Sequence, residues 1–196
     1  MRLVVLSFLL LLSACRQAYN AHDDLKVDQI AGPKLPPLEA VYENVKSIRK
    51  ESKTGSIHRI NDNYATVFYR EVEQNIAYEE GEKKGRIVLT PIYIDTEEKT
   101  AWKAATAATI GIPALVGMPN DEYEAIAELE VRITDKKGNV IRKYSAEQNS
   151  SELVSLWGYT HRDASDAAKM AAYKSALRKI TYQIQNDYDY LAQKLK

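Results

Sequence analysis

Residues 124–144 read EAIAELEVRITDKKGNVIRKY, the clearest structural statement in the chain. Ala125, Ala127, Leu129, Val131 and Ile133 fall on one side of a two-residue period, and Glu124, Glu128, Glu130 and Arg132 on the other. That alternation is a strand with one face covered and one face wet. The DKKGN stretch supplies the turn, with Gly138 placed to take a positive φ, and residues 140–146 return as the second arm of a hairpin.

A half-apolar sheet needs a cover, and two stretches have the period for it. Ile60, Tyr64, Val67, Phe68, Val72 and Ile76 recur at helical spacing, which predicts a helix over 59–79, with Gly81 just beyond as its C-terminal cap. Met170, Tyr173, Leu177, Ile180, Ile184, Tyr188, Leu191 and Leu195 form a longer stripe, which predicts a helix capped by Asp163 and running nearly to Lys196. Residues 86–95, RIVLTPIYID, are almost continuously apolar or β-branched and read as a strand buried on both faces, with Pro91 as its complication. Residues 39–49 and 152–160 read as further strands. The expected architecture is α+β: a small antiparallel or mixed sheet packed by two helices, one of them long and C-terminal.

Charge narrows the partners. Lys plus Arg and Asp plus Glu stand at 27 each, so no basic excess favours nucleic acid or an anionic surface. The chain has 1 cysteine, so an internal disulfide is excluded and the fold must stand on its core.

That cysteine closes the N-terminal stretch MRLVVLSFLLLLSAC. Arg2, an apolar run over 3–12, and small Ser13 and Ala14 follow the order of a secretory signal peptide. The run is too short to span a bilayer, which takes about 20 residues. Leu12-Ser13-Ala14-Cys15 resembles the lipobox of bacterial lipoproteins. The resemblance implies diacylglycerol on the Cys15 sulfur, cleavage before Cys15 and a further acyl chain, such as palmitate, on the new amino terminus. Each buried methylene contributes about 0.8 kcal/mol, so two or more chains anchor stably where one is marginal. Arg16 stands where an Asp commonly retains Gram-negative lipoproteins in the inner membrane, so the expected address is the outer membrane, facing the periplasm. The expected division is a signal peptide over 1–14, a lipidated tether over 15–38 stiffened by Pro33, Pro36 and Pro37, and one α+β domain over 39–196.

Residues 101–119, AWKAATAATIGIPALVGMP, differ from everything around them: no charge occurs over 104–118 in a chain that is 28% charged. Gly111, Pro113, Gly117 and Pro119 break any helix through the stretch, and it is too short to span a membrane. It fits a buried cap on the sheet, an apolar flap for a partner or second subunit, or a segment dipping into the membrane. The contact candidates are Trp102, Ile110, Ile112, Leu115, Val116 and Met118.

Catalytic signatures are not visible in the pattern. The 3 histidines, His22, His58 and His161, have no ligand spacing, no serine sits in a G-x-S-x-G elbow, and Asp121/Glu122 reads as solvated charge. No metal, cofactor or catalytic residue is therefore expected. The 13 tyrosines against 2 phenylalanines suit half-buried faces. Lipobox, proline tether and small α+β domain together loosely resemble the accessory lipoproteins of export systems, such as the curli-export lipoprotein and the auxiliary lipoproteins of ABC transporters. The resemblance implies a non-enzymatic binding or assembly accessory of an outer-membrane transport, secretion or cell-wall system, with a protein partner or a homo-oligomer. A self-associating structural lipoprotein and a periplasmic hydrolase with a dispersed site are the alternatives. A curli-type pore fits poorly, because 101–119 lacks the alternation of a membrane hairpin.

Overall fold

The computed structural model describes residues 25–43, 62–99, 119–155 and 159–196. The elements are β1 (Glu39–Tyr42), α1 (Asp62–Glu71) running into a π turn (Val72–Ile76), β2 (Gly85–Lys99), β3 (Pro119–Asp135), β4 (Val140–Ser155), α2 (His161–Asn186) and α3 (Tyr188–Lys194). The strands form one mixed sheet in the order β1-β2-β3-β4, with β1 parallel to β2 and Glu39 to Tyr42 opposite Arg86 to Leu89. β3 and β4 make the expected hairpin. Its turn is pinned by Asp135, whose carboxylate accepts from the backbone N–H of Lys137 and Asn139, and Gly138 takes φ +85°. The fold is α+β, with a long helix at the C-terminal end.

The described chain divides into two compact units. Of the described residues, one comprises 25–43, 62–95, 125–150 and 169–196; the other comprises 96–99, 119–124, 151–155 and 159–168.

The larger unit holds the main core. Ala125, Ala127, Leu129, Val131 and Ile133 are all fully buried, as are Ile87 and Leu89 of β2. The helical stripe is equally closed: Met170, Tyr173, Leu177, Ile180, Ile184, Leu191 and Leu195 are buried together with Val67, Phe68, Val72 and Ile76. Burying each large apolar side chain contributes about 1.5–3 kcal/mol, so this sandwich is the main source of stability. Tyr173 brings a polar group into that core and satisfies it, donating its hydroxyl to the Tyr64 carbonyl at 2.9 Å. On the wet side, Arg132 of β3 donates to Glu43 at 2.6 Å, and Thr90 of β2 donates to the same carboxylate at 2.7 Å.

Several local expectations are corrected. β2 is not buried on both faces: residues 85, 87, 89 and 91 are buried while Arg86 is exposed and 88, 90 and 92 are half-buried, the alternation of a one-sided sheet. Pro91 explains where β1 stops. The Glu43 N–H bonds the Leu89 carbonyl at 2.9 Å, and the next parallel rung would need an N–H from residue 91, which proline lacks. Of the strand expected over 39–49, β1 covers only Glu39–Tyr42, and 44–49 lie outside the described residues. The strands expected over 140–146 and 152–160 are one strand, β4, as far as Ser155, because the polar stretch between them carries neither Gly nor Pro to break it. Tyr159 then forms a parallel bridge with Val154.

The first helical segment ends at Ile76, short of Gly81. The Ile76 carbonyl accepts from Leu35 N–H at 2.8 Å, and Tyr78 N–H bonds back to the Leu35 carbonyl at 3.1 Å, so an incoming strand-like partner satisfies the helix end. Gly81, with φ +111°, shapes the loop beyond instead of capping. In the second helix Asp163 is not the cap itself. Thr160 is: its hydroxyl oxygen accepts the Asp163 N–H at 3.2 Å and its O–H donates to the Asp163 carboxylate at 2.6 Å.

The tether is the largest correction. Residues 25–38 belong to the larger unit and are packed on it: Leu35 and Leu38 are buried in its core. Asn75, presented by the π turn, clamps the segment. Its Oδ1 accepts the Ile30 N–H at 2.8 Å, and its Nδ2 donates to the Asp28 carbonyl and to Glu71 Oε2, each at 3.0 Å. Arg70 reaches the Leu25 carbonyl at 2.9 Å. Glu71 is a buried carboxyl whose pKa burial pushes up, against the opposing pull of hydrogen bonds from Thr181 and Asn75 and of the Arg178 charge. Prolines kept this stretch from being a helix, but Leu35 and Leu38 gave it apolar weight to dock.

Candidate functional site

The smaller unit brings together side chains that lie far apart in the sequence. Among its described parts are the end of β2, the start of β3, the end of β4 and the first turns of α2. The start of α2 is fixed twice: by the Thr160–Asp163 box, and by Ser165, whose hydroxyl lies 3.1 Å from that of Thr96 near the end of β2. Ala164, Ala167 and Ala168 are buried on this part of the helix, and their small size permits close approach to its neighbours.

That framework places His161, the first residue of α2, against Asp121 at the start of β3. The His161 Nε2 lies 3.5 Å from Asp121 Oδ2. The two differ sharply in setting: the His161 side chain is 57% exposed and that of Asp121 only 4%. Tyr123 stands on the other side of the imidazole, its hydroxyl 3.3 Å from Nδ1 and its ring edge-on at 6.0 Å between centroids. With Nδ1 engaged by Tyr123, Nε2 is the nitrogen turned to Asp121. Glu98, exposed near the end of β2, completes the group: one donor atom from each of Glu98, Asp121 and His161 lies within 4.8 Å of the others.

The surroundings are acidic. Lys99 pairs with Glu124 at 2.8 Å, and that hydrogen bond, with Glu124's charge and smaller contributions from Glu97 and Glu122, holds the ammonium above the usual lysine range. A single imidazole beside two carboxylates can accept protons, hold an ion pair or ligate a divalent cation.

Sequence reading did not find this group. His161 reads there as one of three histidines without ligand spacing, and Asp121 as solvated charge; Asp121 is in fact buried. The signal was a strand's alternation extended backwards: Asp121 shares the parity of Ala125, Ala127 and Leu129, the covered face of β3. Cys15 and the contact candidates Trp102, Ile110, Ile112, Leu115, Val116 and Met118 all lie outside the described residues.

No family model matches the chain, and no curated protein is found similar to it. Among solved structures, it is similar to a candidate lipoprotein from Caulobacter crescentus CB15, solved at 2.40 Å resolution. The two share 16% identity over 60% of this chain and 70% of that one, with a TM-score of 0.33. A likeness that distant carries no argument about this chain's activity. Among the described residues no helix is long and apolar enough to cross a membrane.

Proposed function

We propose that this chain is a lipid-anchored envelope protein whose α+β domain binds or assembles with a protein partner, as a non-enzymatic accessory of an outer-membrane transport, secretion or cell-wall system. The observation that carries the reading is the N-terminal order of Arg2, an apolar run, and Leu12-Ser13-Ala14-Cys15. Acyl chains on Cys15 supply the anchor, and Arg16 favours the outer membrane, with the domain facing the periplasm.

Docking of residues 25–38 sharpens the reading. Residue 25 is the tenth after Cys15 in the sequence. Ten residues span at most about 35 Å, which bounds how far the docked segment can stand from an anchor at Cys15.

Cys15→Ser tests the anchor. The thiol is the acylated nucleophile and a hydroxyl does not replace it. Unprocessed precursor without lipid is the expected product, seen as a larger species by mass spectrometry of fractionated cells. Normal processing, with lipid retained on the mature chain, would sink the anchor reading.

A further inference from the structure

We propose that Glu98, Asp121 and His161 form a divalent transition-metal site of the zinc class. The site is built from the end of β2, the start of β3 and the first turn of α2, all within the smaller unit.

Its donor set is mixed. Imidazole nitrogen with two carboxylates is a borderline-to-hard combination, suited to Zn²⁺ and its neighbours rather than to the thiolate-bound soft ions. The geometry is close to that of a bound ion. Zinc held at about 2.0–2.2 Å by nitrogen and oxygen in a tetrahedron sets neighbouring donors about 3.3 Å apart. His161 Nε2 and Asp121 Oδ2 stand at 3.5 Å, already near that edge length and longer than a good hydrogen bond. The three donor atoms lie within 4.8 Å of one another, and two of the three side chains, Glu98 and His161, are exposed and have room to adjust.

Two further features point to a ligand. Tyr123 holds Nδ1 of the imidazole, the outer contact that commonly orients a metal-binding histidine. With Nε2 on the ion, Nδ1 carries the proton and donates it to the Tyr123 oxygen. Asp121 is fixed by burial while His161 remains open to solvent, so one ligand is rigid and the site keeps an entry path. Glu97, Glu122 and Glu124 add negative field around the position, offset by Lys99. Three protein ligands leave a fourth coordination position for water or for a donor from a partner. This inference is independent of the lipid anchor.

The test uses the full mature lipoprotein in mild detergent, stripped with a chelator and titrated with Zn²⁺ by calorimetry. One ion per chain is expected, with a rise in Tm on binding, and Co²⁺ substitution should give visible absorption bands. His161→Ala should weaken binding about tenfold or more while the far-ultraviolet circular dichroism stays unchanged, because the side chain is exposed. Glu98→Gln should weaken it in the same direction. Asp121→Asn alters a buried group, so the two exposed ligands provide the decisive variants. Failure to take up one Zn²⁺ per chain would overturn the proposal. So would uptake unchanged by His161→Ala, which would place the ion elsewhere and leave His161 and Asp121 as an ordinary ion pair.

Discussion

Gly85→Ala is expected to destabilise the larger unit by about 3 kcal/mol or more, a large share of a domain's whole stability. Gly85 opens β2 and is buried. A Cβ added there would lie 2.0 Å from the Thr134 carbonyl oxygen of β3, and 3.1 Å from Leu195 Cδ2 beyond α3. The first of these is backbone and has no rotamer to escape through. The chain cannot simply slide away, because the preceding Lys84 N–H is bonded to the Pro37 carbonyl at 2.8 Å. Relief therefore means moving the β2–β3 edge or the docked N-terminal segment, and both lie on the core. Denaturant unfolding of the full chain measures the effect; a midpoint equal to that of the unchanged protein would show that the close approach is not real.

The second large effect is expected at Asn75. Asn75→Ala leaves the Ile30 N–H and the Asp28 carbonyl without their partner and removes one donor from buried Glu71. Each buried polar group stripped of its partner costs about 1–3 kcal/mol, so a loss of roughly 3 kcal/mol in total is expected. It should be localised: the segment 25–38 is released, Leu35 and Leu38 come out to water, and the backbone at Lys26 and Lys34 opens to trypsin. The measurement is limited proteolysis with identification of the cut sites. Equal cleavage at Lys26 and Lys34 in both proteins would show that Asn75 does not hold the segment.

What was legible beforehand follows from which signals are local. The alternation from Ala125 to Ile133 depends on one element's period, and the stripe from Met170 to Leu195 on a helical period carried from α2 into α3; apart from half-buried Tyr188, both are buried as those periods require. The docking of residues 25–38 was hidden because its partners are distant: Leu25 meets Arg70, Ile30 meets Asn75, and the prolines between describe a path without saying what lies beside it. The Asp121–His161 pair was hidden for the same reason, since the two residues stand far apart in the chain with all of β4 between them and no spacing rule links them. Pro91 is the intermediate case. The sequence marked it as an obstacle in a strand, but only the register, with Tyr42 opposite Leu89, shows that it ends the β1 ladder while β2 continues to Lys99.

The assembly role is tested most directly by the native mass of the mature lipoprotein, extracted from its own membranes in mild detergent at its natural expression level. A closed oligomer of this chain, or a complex carrying a second protein in fixed ratio, is expected, and the additional mass identifies what the domain binds. A bare monomer at every detergent tried would remove the assembly reading.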